Sequence, residues 1–180
     1  KMYNNGLGLE QNYTEAVRWY RKAADHGDIY AQFNLGLAYY YGQGVEQNYA
    51  EAAKLFRQAA TQGVAVAQTD LGWMYQYGLG TEQNYVESVR WYKKAVAEGD
   101  VTAMLNLGVM YYNGFGVEQN YAEAFKLYKQ AADRGNAKAQ NNLGWLYFTG
   151  KGVPMDRSIA RSWFRVSCQN GEQTACDNLK

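Results

Sequence analysis

The sequence has one proline, one histidine, two cysteines and no long apolar run among its 180 residues. A membrane-spanning helix needs about 18 consecutive apolar residues, and no segment supplies them. One histidine and two cysteines cannot provide the four ligands of a structural zinc ion, and no nucleophile stands in a recognisable pairing with a base. The residues therefore predict no enzyme, no metal and no cofactor.

The sequence also lacks a strong excess of charge of one sign. Eighteen basic residues against seventeen acidic ones leave a formal charge of +1. Such a chain has no long-range field that would draw it to nucleic acid or to anionic lipid. The expected partner is a protein or peptide, with no nucleic acid and no membrane span.

What the sequence does contain is a period of 36 residues, which is the first feature to look for because it decides the fold. Paired glycines recur in register at Gly6/Gly8, Gly42/Gly44, Gly78/Gly80, Gly114/Gly116 and Gly150/Gly152. The phrase Glu-Gln-Asn-Tyr recurs at 10–13, 46–49, 82–85 and 118–121, and the fifth copy departs from it as Pro154-Met155-Asp156-Arg157. The glycine pairs follow no strand and lack the third glycine of a dinucleotide-binding loop, so they predict helix corners.

Each period divides into two predicted helices, which we call helix B and helix A. Helix B begins with a capping box, as at Asn48 and Glu51, in which each side chain satisfies an amide of the other residue. Apolar residues then follow at helical spacing until Gly63, which predicts a left-handed helix end. Helix A carries a core stripe such as Ala31, Leu35 and Tyr39, with Gly36 leaving room for a neighbouring helix.

The motif Ala-x-x-x-Leu-Gly-x-x-Tyr, then Gly-x-Gly-Val, then Ala-x-x-Trp-Tyr-x-x-Ala-Ala resembles the Sel1-like repeat, a relative of the tetratricopeptide repeat. The resemblance implies an all-α fold, a right-handed α/α superhelical solenoid of helix-turn-helix repeats. It also implies an adaptor or scaffold role for other proteins, often in exported bacterial proteins.

The repeats predict a single domain over residues 1–180. It comprises a partial first repeat, about four full repeats and a truncated final helix at 172–179. The first residues read as the end of an interrupted repeat without a signal-peptide core, which predicts that a longer protein carries any targeting segment.

Cys168 and Cys176 stand eight residues apart, in the predicted final turn of one helix and the first turns of the next. Antiparallel helices could bring their Cα atoms to the roughly 5.5 Å of a disulfide. Two reduced thiols at small-residue positions are the alternative. The spacing resembles the cysteine-rich secreted branch of the family, and a bridge would indicate the bacterial periplasm or secretion.

Beside the core stripe of helix A runs a second stripe of more variable residues, which by resemblance to tetratricopeptide proteins lines the concave face. Asn and Asp side chains there can bind the backbone of a peptide, and tryptophan offers broad apolar contact. The predicted binding residues are Asn34, Leu37, Tyr41, Asp70, Trp73, Tyr77, Asn106, Val109, Asn113, Asn142, Trp145 and Thr149. The alternative is that the amides bond between repeats and that the tryptophans are packing residues. A separate series, Trp19, Trp91 and Trp163, is interpreted as core.

Two other functions compete with the adaptor. An exported protein of this kind could bind cell-wall peptides or β-lactams, although no catalytic pair supports hydrolysis. Helical repeats can also read single-stranded RNA, but the predicted groove lacks basic residues. His26 is the sole histidine, and its counterparts in the other repeats differ, which indicates a solvent-exposed corner.

Overall fold

The computed structural model describes residues 12–179, and within them every regular element is a helix. The B helices are α1 (Tyr13–Asp25), α3 (Tyr49–Thr61), α5 (Tyr85–Ala97), α7 (Tyr121–Asp133) and α9 (Arg157–Gln169). The A helices are α2 (Ile29–Tyr41), α4 (Ala65–Tyr77), α6 (Val101–Asn113), α8 (Ala137–Thr149) and the short α10 (Gln173–Asp177). The predicted corner at Gly6/Gly8 and the interrupted first repeat lie outside the described residues.

The B helices begin at the predicted caps, but only half of the predicted capping box forms. The Asn48 side chain accepts a hydrogen bond from the Glu51 amide at 3.1 Å. The amide of Asn48 donates to the carbonyl of Tyr39 in the preceding helix at 2.9 Å, instead of to Glu51. Glu51 pairs with Lys54 on the surface of α3. The reciprocal bond was therefore wrongly predicted, because a backbone carbonyl of the preceding helix already satisfies the cap amide.

The glutamine of Glu-Gln-Asn-Tyr closes the end of each preceding A helix. Gln47 Nε2 donates to the carbonyl of Tyr40 at 2.8 Å. Gln83 and Gln119 make the same bond to the carbonyls of Gln76 and Tyr112. These carbonyls lie in the last turn of a helix, where no intrahelical donor remains. The repeated phrase thus ends one helix and begins the next.

At three corners the second glycine lies against the start of an earlier B helix. A Cβ built on Gly80 would overlap the carbonyl carbon and oxygen of Tyr49. Gly44 and Gly152 make the same close approach to Tyr13 and Tyr121. These glycines also have positive φ angles, a region that other L-residues rarely adopt. The predicted corners within the described residues are confirmed, and those at Gly44, Gly80 and Gly152 are also contacts between repeats.

The described helices belong to two compact units, divided between Trp91 and Tyr92 within α5. In the first unit, Phe56 lies on Gly36 and is buried with Leu71 and Met74. In the second, Tyr128 lies on Gly108 in the same way and is buried with Leu143 and Leu146. Burying one such side chain contributes about 1.5–3 kcal/mol. The core stripe predicted from helix A is confirmed, while a single domain over residues 1–180 stays a prediction.

The last hairpin joins α9 to α10 by the predicted disulfide. The Cα atoms of Cys168 and Cys176 lie 4.7 Å apart, and the two sulfurs are bonded. The hydroxyl of Ser167 donates to the carbonyl of Ala137 at 2.7 Å and ties α9 to α8. Ala175 of α10 is buried. The final A helix has five residues, and the bridge attaches it covalently to α9.

In the described part of the chain, no helix combines the length and the apolar character needed to cross a membrane.

Candidate functional site

All twelve predicted binding residues lie on A helices, and their side chains are partly or fully exposed. In α2, Asn34 and Leu37 flank the buried Leu35 and Ala38. In α8, Asn142 and Trp145 flank the buried Leu143 and Leu146 in the same way. The register of 36 residues thus places one stripe in the core and the neighbouring stripe at the surface.

In the first unit the exposed stripe is aromatic. The Trp73 and Tyr77 rings lie 4.2 Å apart between centroids, and 38% of Trp73 and 50% of Tyr77 are exposed. Tyr41 is 61% exposed and meets the edge of Tyr40 at 4.9 Å. Aromatic side chains offer a large contact area and have few rotatable bonds to order on binding. We call Tyr41, Trp73 and Tyr77 the aromatic patch.

The aromatic patch lies beside Tyr40 of α2. Burial raises the pKa of Tyr40, while hydrogen bonding with the Trp73 side chain lowers it and nearby Asp70 raises it. Asn34, Leu37 and Tyr41 also line a cavity of about 180 Å³ together with Tyr13, Val17 and Tyr20.

In the second unit the exposed stripe is rich in amides. Asn106, Val109 and Asn142 line a groove of about 320 Å³. Sequence reasoning missed the other residues of its lining, which are Leu105, Lys138, Asn141, Glu172 and Thr174. Lys138 and Asn141 lie one turn apart on α8, next to the predicted stripe, and this spacing could have identified them. We call this set the amide groove; it offers donors, acceptors and both charge signs.

Several of the predicted polar side chains are already hydrogen-bonded. Asn142 lies beside the hydroxyl of Tyr128, a residue of the preceding repeat, and bonding between repeats at this position stays a prediction. Burial raises the pKa of Tyr128 above its ordinary value, nearby Tyr112 raises it further, and Asn142 acts in the opposite direction. Asn113 and Thr149 donate to carbonyls of their own helices, at 2.9 and 2.7 Å. Asn113 and Thr149 are therefore at least partly occupied by their own helices.

The tryptophans of the B helices divide unequally between core and surface. Trp91 is 7% exposed and belongs to the first unit's core, and Trp163 is partly buried. Trp19 is 48% exposed, so its interpretation as core was wrong. Its ring lies 5.6 Å from both Arg18 and Lys22, whose cations cover it in place of a helix.

The described residues contain no candidate metal centre. Within residues 12–179, no group of three or more His, Cys, Asp or Glu side chains could hold a metal ion. His26 is exposed at the end of α1, with Nδ1 2.7 Å from the carbonyl of Lys22, as expected for a corner residue.

Comparisons with known proteins agree with this architecture. The chain is 40% identical to the protective antigen c5321 of uropathogenic Escherichia coli, with a TM-score of 0.92 over 99% of this chain and 38% of that one. It is 39% identical to a Sel1 repeat protein of Oxalobacter formigenes, with a TM-score of 0.93 over 99% of this chain and 71% of that one. Helicobacter pylori cysteine-rich protein B, at 24% identity and a TM-score of 0.57 over 71% of this chain and 96% of that one, shares the fold.

No curated protein matches the sequence. The Sel1 repeat matches residues 1–28, 29–64, 65–100, 101–136 and 137–172, which together cover nearly the whole chain. The chain, which spans about two fifths of the length of the antigen, therefore belongs to the Sel1 repeat family.

Proposed function

We propose that this chain is a non-enzymatic adaptor that binds a protein or peptide through the exposed face of its A helices. Sel1 repeats generally mediate protein interactions and are generally not catalytic. The observation that carries the proposal is the aromatic patch, where the rings of Trp73 and Tyr77 pack together and lie partly exposed beside a buried core stripe. Partly exposed aromatic side chains are typical anchors of protein interfaces.

In this proposal, each unit contributes a different kind of contact to the partner. The aromatic patch supplies apolar area, and the amide groove supplies hydrogen bonds to the main chain of an extended segment. Trp145 extends the second unit's contribution, because it is partly exposed and held edge-on by Phe148 and Phe164.

We place this adaptor in the bacterial periplasm or outside the cell. The disulfide supports this location because such bonds persist in oxidising compartments. The similar proteins come from bacteria, which agrees with it.

A capture experiment with bacterial envelope extract tests the proposal. The immobilised chain is compared with a Trp73→Ala/Trp145→Ala variant, bound proteins are identified by mass spectrometry, and the strongest candidate is purified for titration. Trp19→Ala is the matched control, since Trp19 is similarly exposed but lies on a B helix. We expect the double variant to lose binding and the control to keep it, with unchanged helical circular dichroism in both.

Two outcomes would overturn this assignment. Equal binding by all three proteins would exclude the tryptophans of the A helices as anchors. Heat of binding from peptidoglycan fragments or a β-lactam, with no protein captured, would replace the adaptor by the small-ligand alternative.

A further inference from the structure

Helix α9 carries three arginines on one face, at Arg157, Arg161 and Arg165. Residues four apart lie above one another on a helix, so the three guanidinium groups form a continuous stripe. All three side chains are exposed. Helix α9 contains no acidic residue, and the Asp156 carboxylate just before it caps the helix.

Each of the other B helices pairs at least one of its cations with an acid of the same helix. Glu123 pairs with Lys126 at 2.6 Å, and Asp133 pairs with Lys129 at 2.6 Å in α7. One period later, the positions of the two acids hold Ile159 and Gln169. None of the three arginines forms an ion pair with any described residue. Like charges four residues apart destabilise a helix slightly, so the stripe does not serve the stability of α9.

In the preceding repeat, the positions of Arg157 and Arg161 hold aromatic residues that pack against other rings. Phe125, one period before Arg161, meets Tyr147 edge-to-face at 5.6 Å. Tyr121, one period before Arg157, packs against Tyr112 at 5.2 Å. In α9 the two aromatic side chains are replaced by guanidinium groups, which changes the contact from apolar to cationic.

Arg157 and Arg161 line a groove of about 520 Å³ with Phe148, Ser158, Phe164, Asn178 and Leu179. The Phe148 ring is 41% exposed, and the Arg157 guanidinium carbon lies 5.6 Å from its centroid. This cation–π contact orients one face of the guanidinium group and leaves its N–H edge available. Arg165 follows one turn beyond the groove. We call Arg157, Arg161, Arg165 and Phe148 the guanidinium groove.

We propose that the guanidinium groove binds an acidic segment of a partner protein, separately from the aromatic patch and the amide groove. Arginine binds carboxylates through two parallel hydrogen bonds, and Phe148 provides an apolar contact for a side chain between them. The charge of the site is complementary to Asp and Glu. Nucleic acid and anionic membranes fit less well, because they require wide basic surfaces and the whole chain carries only +1.

Fluorescence polarisation with a short labelled peptide rich in Glu and Leu tests this site. An otherwise identical peptide with Gln in place of every Glu is the ligand control. We expect the acidic peptide alone to bind, and expect Arg157→Gln/Arg161→Gln to weaken it at least about tenfold, because two charge-assisted hydrogen-bonding groups are lost. The charge-reversed variant Arg157→Glu/Arg161→Glu should abolish binding.

Matched variants separate the site from the total charge and from the proposed adaptor face. Arg18→Gln/Arg90→Gln removes the same charge from exposed positions on other B helices and should leave affinity within about twofold, since exposed pairs contribute little. Trp73→Ala/Trp145→Ala should also keep acidic-peptide binding, so the two proposals fail independently. Equal weakening by the Arg18/Arg90 variant would overturn the site. So would tighter binding to phosphatidylglycerol vesicles or to single-stranded RNA, or a dimer by light scattering that Arg157→Gln/Arg161→Gln disrupts.

Discussion

Thirteen described glycines have positive φ angles, but they do not all have the same surroundings. Gly63 ends α3 with φ near +90° and has nothing within 4 Å of a built Cβ. Gly80 has a similar backbone conformation, yet its Cβ would meet the backbone of Tyr49. The first glycine is needed only for its conformation, and the second is needed for conformation and for space.

We therefore expect different losses of stability from two alanine substitutions. Gly63→Ala should lower the free energy of unfolding by about 1–2 kcal/mol, the cost of the left-handed conformation. Gly80→Ala adds a clash with rigid backbone and should lower it by at least about 3 kcal/mol. Urea unfolding followed by circular dichroism measures both. Equal losses would show that the contact between repeats yields easily.

The tryptophans show where prediction from sequence stops at the scale of the residue. Trp19 and Trp91 occupy the same position of the repeat, so the pattern assigns both to the same helix face. Burial also depends on what covers that face, and this differs between the two residues. The position within the repeat predicts which helix face a side chain occupies. The exposed area of that side chain depends on the neighbouring residues that cover the face, and the local pattern does not specify them.

At the scale of the element, the helix boundaries follow closely from the sequence. Caps such as Asn48 and corner glycines such as Gly42 fix where each helix begins and ends. The bonding partners of Gln47 and Glu51 could not be predicted from the sequence, because each polar side chain has several possible partners within reach. Gln47 bonds a carbonyl of the preceding helix, and Glu51 turns to Lys54. Choosing among such partners requires the distance between helices.

The disulfide should stabilise one element more than the rest. Closing so short a loop contributes about 2 kcal/mol, and α10 has only five helical residues to hold it against α9. Reduction should therefore speed amide hydrogen exchange over residues 172–179 and leave α2 to α8 nearly unchanged. Exchange measured by mass spectrometry, with and without reductant, checks this expectation. A Cys168→Ala/Cys176→Ala variant should show the fast rates in both conditions; general acceleration along the chain would contradict a local role.

For the whole molecule, the period alone predicts an all-α repeat fold, because it fixes helix lengths, corners and the core face together. The exposed stripe of the A helices could also be predicted, since it lies beside the core stripe. The sequence could not predict which of its side chains are available, because Asn113 and Thr149 bond carbonyls of their own helices. Glu172 and Thr174 were missed because they reach the amide groove only when the hairpins pack.

The seventeen tyrosines give the whole molecule an alkaline limit. Burial raises the pKa of Tyr20, Tyr40 and Tyr128 in the folded chain. Tyrosines of the unfolded chain ionise at about pH 10. Above that pH the unfolded state holds fewer protons, so stability falls as pH rises, while below it these groups have no effect.

Tyr128→Phe should reduce this loss of stability at high pH because it removes a buried phenol. The position accepts phenylalanine, which occupies the equivalent positions at Phe56 and Phe164. Urea midpoints at pH values of about 8 and about 11, on either side of the tyrosine range, measure the loss in each protein. Tyr30→Phe, at an exposed position, should lose as much stability as the unmodified chain. An identical fall in Tyr128→Phe would exclude ionisation of this phenol as a cause.

The corner joints have a consequence for how such a gene can change in length. Gly44, Gly80 and Gly152 each meet the equivalent residue of the repeat before, so these three contacts are interchangeable. Loss or duplication of one whole repeat leaves each of these glycines opposite a backbone of the same shape. A change of any other length places a side chain where none fits. Recombination between the near-identical copies can therefore lengthen or shorten the array by whole repeats while it keeps these glycine contacts.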